Sequence, residues 1–126
     1  MAGSTQRRAR GKVNYLSGDA AEQQVAQHYA RKGMPIVHRR WRGHAGEIDL
    51  VARNGSGFVF VEVKKSNCHA RAASSLSAAQ MSRIYRAAEQ FLGTQRLGLL
   101  TEARFDVALV NGAGGVQLIE NAFGQG

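Results

Sequence analysis

The chain switches between two hydrophobic periods, and the switches mark its elements. From Ser17 to Gly33 the apolar positions Val25, Ala26 and Tyr29 form one helical stripe, with Gly33 placed to end it. After Pro35, IVHRRWRG reads as a strand with a basic end. Residues 46–65, GEIDLVARNGSGFVFVEVKK, change to a period of two on either side of a glycine–serine turn, which predicts a β-hairpin. Small polar residues from Ser66 to about Ser75 predict a loop. Met81, Ile84, Tyr85, Ala88, Phe91 and Leu92 then mark a second amphipathic helix, with Ser77 near its start and Gly93 just past its end. RFDVALV alternates again, NGAGG is a turn signal, and VQLI is a short closing strand. The order α-β-β-β-α-β-β predicts an α/β domain, a mixed central β-sheet flanked by helices.

Alternation sorts the hairpin into two faces. Ile48, Leu50 and Ala52 join Val59, Val61 and Val63 in a purely apolar set. Glu47, Asp49, Val51 and Arg53 meet Phe58, Phe60, Glu62 and Lys64 on the other face. A loop of Gly55-Ser56, or of Asn54 to Gly57, sets Arg53 opposite Phe58 and Val51 opposite Phe60. It also sets Asp49 opposite Glu62 and Glu47 opposite Lys64, unless a bulge shifts the register by one. Carboxylates directly across a ladder have Cβ atoms about 4.5–5.5 Å apart and repel, so the pair calls for a cation between its oxygens. Mg²⁺ or Mn²⁺ suits oxygen ligands better than zinc. With Lys64 two residues from Glu62, the set fits a phosphodiesterase site. The competing reading is a surface hairpin with a Glu47–Lys64 cross-strand pair. The phenylalanines on that face argue for partial burial, and buried carboxylates need partners.

Composition adds the partner. The 126 residues carry 17 Lys+Arg against 9 Asp+Glu, a net charge of +8, which points first to nucleic acid. The length predicts one domain, residues 14–126, behind a basic arm over residues 1–13 that holds Arg7, Arg8, Arg10 and Lys12. Cys68 stands alone, which excludes an intrachain disulfide and fits a reducing compartment. No secretory signal or membrane-spanning run is apparent, so a cytoplasmic protein is expected. Arg39, Arg40 and Arg42 bracket Trp41 on the strand beside the proposed site, and Lys65 follows Lys64. This grouping suits phosphate contact and base stacking, or else Trp41 packs inward and the arginines are solvated. Glu22 also has two readings: a capping box with Asp19, or a carboxylate on the buried helix face. The histidines and Cys68 lack zinc-type spacing. Asp106 shares a face with Arg104, which predicts a local ion pair rather than catalysis.

GEIDLVA, FVFVEVK and RFDV, with Gly18-x-x-x-Glu22 and Ala88-Glu-Gln-Phe-Leu92, resemble the bacterial YraN family from about Gly18 to Phe123. That family is related to the PD-(D/E)XK, or restriction-endonuclease-like, nuclease superfamily. The resemblance implies a restriction-endonuclease-like core and metal-dependent phosphodiester cleavage, with DNA repair or recombination as the setting. Position by position, Asp49 matches the superfamily aspartate, Glu62 and Lys64 match its E-x-K, and Glu22 matches the first-helix acid of resolvase-like nucleases. Glu47 is a further metal-ligand candidate. Gln80 departs from the lysine usual at its position. The expectation is a Mg²⁺- or Mn²⁺-dependent endonuclease acting on DNA. The alternative is a non-catalytic nucleic-acid-binding module of the same fold inside a DNA-processing complex. Nucleases that cut both strands often act as homodimers.

Overall fold

In the computed structural model, residues 18–65 and 77–122 are described. The expected basic arm, Cys68, His69 and the polar loop after the hairpin lie outside them. Helix α1 spans Gly18–Arg31 and buries Ala21, Glu22, Val25, Ala26 and Tyr29. It stops where expected: Gly33 adopts φ 81°, and the Met34 N–H donates to the Tyr29 carbonyl at 2.9 Å. Asp19 lies inside this helix, so it does not cap it, and the capping-box reading of Glu22 fails.

Strands β1 (Ile36–Arg42), β2 (Glu47–Asn54) and β3 (Gly57–Lys65) form an antiparallel meander. Helix α2 (Ala78–Leu92) then carries the chain to β4 (Ala103–Val110), parallel to β3, and β5 (Val116–Ile119) closes antiparallel to β4. The five strands lie in sequence order, and the element order is the one expected. The hairpin turn is the two-residue form: Asn54 pairs with Gly57, and Gly55 supplies φ 61°, a conformation that suits glycine. Ser77 caps α2 by accepting the Gln80 N–H at 3.1 Å. Among the described residues no helix is long and apolar enough to cross a membrane.

The sheet is covered on both faces. Leu50, Ala52, Val59, Val61, Ala108 and Val110 pack with Ala21, Val25 and Tyr29 of α1. Val51, Phe58 and Phe60 pack with Ala87, Ala88, Phe91 and Leu92 of α2. The face expected to be partly buried is so: Val51, Phe58 and Phe60 are core, with Val51 and Phe60 completely inaccessible, while Glu47 and Arg53 are exposed. Ile48 departs from the expected alternation, because it joins Val51 and Phe60 rather than Leu50 and Ala52. The break falls at Asp49. Arg40, which lies between the Arg39–Leu50 and Trp41–Ile48 pairs and so opposite Asp49, takes the left-handed φ of 51°. A left-handed residue in a strand interrupts its regular alternation, and here both strands break step at the same level.

Asp106 is fully buried and satisfied from three directions. Arg104 donates to both its oxygens at 2.9 Å, the Tyr29 hydroxyl donates at 2.6 Å and the Asn121 N–H at 2.9 Å. The predicted Arg104 pair is present, and the Tyr29 bond ties α1 to β4. Burial, followed by the hydrogen bond to Asp106, pushes the Tyr29 hydroxyl well above its ordinary range.

Candidate metal and phosphate site

The β2–β3 ladder follows the expected register from Asn54–Gly57 through Arg53–Phe58 and Val51–Phe60, and ends at Leu50–Val61. The next position holds Asp49 and Glu62, and there the side chain replaces the ladder. Asp49 Oδ2 accepts the Val63 N–H at 2.8 Å. A carboxylate inserted between two strands keeps a buried N–H satisfied while the backbones part. The expected Glu47–Lys64 position lies beyond the end of the pairing. Glu47 instead accepts from Arg42 at 3.1 Å at the surface, and its charge still acts on Asp49.

Glu62 points to the α2 side, where Gln80 Nε2 donates to its Oε2 at 2.7 Å. Lys64 Nζ lies 3.4 Å from the same oxygen. The expected triad of Asp49, Glu62 and Lys64 is therefore brought together, and Gln80 joins it. Burial, then the charge of Asp49 and the hydrogen bond between the two carboxyls, raises Glu62 to about 7; Lys64 works in the other direction. Burial likewise raises Asp49, opposed by the Val63 N–H and by the bond to Glu62. Two carboxyls that share a hydrogen bond in a buried setting hold a proton where a cation could sit.

Glu62 binds its proton more tightly in the folded chain than in the unfolded one. Stability from this group is therefore fully present at low pH and lost as pH rises through about 7. In metal-free buffer, Glu62→Gln is expected to gain about 2 kcal/mol relative to wild type between pH 5 and pH 8. Urea unfolding at the two pH values measures the gap; an unchanged gap would show that Glu62 titrates as an ordinary glutamate.

Glu22 is buried on α1 and faces the same region, close enough to Asp49 for the two charges to oppose each other. Its carboxylate is occupied by Arg40, whose Nε lies 3.2 and 3.4 Å from the two oxygens. Arg40 also pairs with Asp19 through Nη2. Burial raises Glu22 above the usual carboxylate range, and the Arg40 charge opposes that shift. Among the described residues, no three of His, Cys, Asp and Glu converge on one ion position. What the site offers is two oxygen-donor carboxylates with an ammonium beside them. That fits Mg²⁺ or Mn²⁺, which take one or two protein carboxylates and fill the shell with water and phosphate.

The residues expected to contact nucleic acid separate. Trp41 turns inward and meets the Phe91 ring edge-on at 5.4 Å, as the packed alternative expected. Its pairing with Ile48 places it on the α2 face, against an apolar cluster that favours the indole. Arg40 is engaged by Asp19 and Glu22, and Arg42 by Glu47. Arg39 and Lys65 are exposed. A basic position that sequence reasoning missed is Arg83 on α2, whose Cβ lies 3.8 Å from where a side chain on Gly46 would begin. Its spacing of three from Gln80 was the available signal. A hollow of about 320 Å³ lined by Asn54, Phe58, Glu102 and Arg104 lies at the opposite end of β3 from Glu62 and Lys64.

These residues fall within a span that matches a known family. The family described as "Uncharacterised protein family UPF0102" matches residues 21–110, which include Glu22, Asp49, Glu62, Lys64 and Gln80. A UPF0102 protein of Ruegeria pomeroyi is 55% identical over 118 residues, covering 94% of this chain and 96% of the relative. One from Cereibacter sphaeroides strain ATCC 17029 is 56% identical over 113 residues, covering 90% and 97%. One from Dinoroseobacter shibae is 44% identical over 115 residues, covering 91% and 86%.

Proposed function

The chain belongs to the UPF0102 family, and we propose that it is a Mg²⁺- or Mn²⁺-dependent nuclease that hydrolyses phosphodiester bonds in DNA. The observation that carries the reading is the pair of half-buried Asp49 and buried Glu62, with Lys64 Nζ 3.4 Å from Glu62. Such a pair costs stability unless a cation or proton lies between its oxygens, and an adjacent ammonium suits an anionic reaction centre. The similarity of GEIDLVA and FVFVEVK to the PD-(D/E)XK pattern supports the same chemistry.

Asp49 and Glu62 would hold the ion, which when bound polarises a phosphoryl oxygen and activates water. The chain's own groups prepare that position. The Val63 N–H fixes Asp49 through Oδ2, and Gln80 fixes Glu62 through Oε2. Lys64, on the same strand two residues on, carries its charge to where negative charge grows on the scissile phosphate. A net charge of +8 favours association with a polyanion, and the exposed Arg39 and Lys65 are candidates for backbone contact.

The test is incubation with single-stranded, duplex and branched DNA in Mg²⁺, Mn²⁺ or EDTA. Cleavage is expected with either metal and not with EDTA. Lys64→Ala is expected to lower the rate by about 10²-fold while Mn²⁺ binding persists, because Lys64 is not a metal ligand. DNA binding without cleavage in every condition would replace the enzyme with a binding module of the same fold.

A further inference from the structure

Arg40 combines three features that ordinary strand residues lack. Its backbone is left-handed at φ 51°, a conformation in which a β-carbon is disfavoured. Its guanidinium spans Asp19 and Glu22 on α1, reaching both Glu22 oxygens through Nε. It sits on β1 opposite Asp49, between the Arg39–Leu50 and Trp41–Ile48 pairs. A strained backbone that directs a charge onto a buried carboxylate is maintained by that contact.

Glu22 is the carboxylate this contact removes from the site. It is buried, it lies close enough to Asp49 to feel its charge, and its hydrogen bonds go to Arg40. From this we infer that Arg40 is a positioning residue, a half-exposed cation that holds the buried Glu22 in an ion pair and keeps it from contributing to divalent-ion binding at Asp49 and Glu62. The inference rests on the proposal that those two carboxylates bind a divalent ion. It assigns the gap between three nearby carboxylates and two available ones to a single side chain.

The test is Mn²⁺ binding at pH 7.5, read from the electron paramagnetic resonance signal of free Mn²⁺, without DNA or turnover. Glycine accepts φ 51° without strain, so Arg40→Gly removes the charge and relieves the backbone together. It is expected to bind Mn²⁺ about tenfold more tightly than wild type, because one positive charge leaves the site and one carboxylate is released. Arg40→Gly with Glu22→Gln should return to wild-type affinity. Arg40→Lys retains the cation and should bind Mn²⁺ as wild type does, with circular dichroism checking that each variant is folded. Equal affinity in wild type and Arg40→Gly, or a gain that survives Glu22→Gln, overturns the inference. If Asp49→Asn binds Mn²⁺ as tightly as wild type, or none of the proteins binds it, the metal reading fails and this inference with it.

Discussion

Asp49→Asn is expected to lower metal-dependent DNA cleavage by about 10³-fold, and at the same time to raise the melting temperature of the metal-free protein. The two effects have one cause. The carboxamide oxygen can still accept the Val63 N–H, so the 2.8 Å bond that replaces the ladder is kept. What disappears is a half-buried negative charge beside Glu62, whose proton is held up to about 7 in part by that charge. Relief of the repulsion should stabilise the fold by about 1 kcal/mol at pH 8, or roughly 4 °C for a domain of this size. Differential scanning fluorimetry in EDTA reads the gain, and a cleavage assay in Mg²⁺ reads the loss. A carboxylate serving only to satisfy Val63 would give a neutral change or a loss in the first measurement and nothing in the second. Opposite signs in stability and activity identify a group retained for chemistry.

Phe91→Ala should cost about 3–5 kcal/mol, a large part of the ~5–15 kcal/mol by which a domain is stable. Phe91 on α2 is 1% exposed and meets four rings edge-on: His38, Trp41, Phe58 and Phe60, at centroid distances of 5.3, 5.4, 5.1 and 5.7 Å. His38 and Trp41 stand on β1, Phe58 and Phe60 on β3, and Ile48 and Val51 of the intervening β2 belong to the same cluster. One side chain therefore seats the helix across the meander. The same helix carries Gln80 to Glu62, which makes its seating a requirement of the site. Phe91→Leu, which keeps most of the volume, should cost less than about 1.5 kcal/mol. Urea denaturation measures both. A Phe91→Ala loss below about 1 kcal/mol would mean that α2 is held to the sheet by other contacts.

Much of this arrangement is legible in the order of the amino acids, because it depends on short-range rules. Period-two alternation and a two-residue turn fix the hairpin register by counting, so Arg53–Phe58 and Val51–Phe60 follow directly. The α2 stripe ending in Phe91 and Leu92 follows from a period of 3.6. Other features need the third dimension. Ile48 lies on the α2 face, just past the level at which Arg40 on the neighbouring strand leaves the β conformation. No alternation rule predicts a left-handed arginine inside a strand. Trp41 turns inward because Phe91, far along the chain on α2, supplies its partner. Gln80 reaches Glu62 only after the crossover lays α2 over β3, and the docking of α1 on β1 sets Glu22 against Arg40.

The central claim is that Asp49 and Glu62 together hold a divalent ion. Crystals grown with Mn²⁺ and measured on both sides of the manganese absorption edge test it most directly. An anomalous peak lying about 2.0–2.4 Å from a carboxylate oxygen of each residue is the predicted result. A peak absent there, or one bound by Glu22 and Asp19 with Arg40 displaced and neither Asp49 nor Glu62 as a ligand, would contradict it.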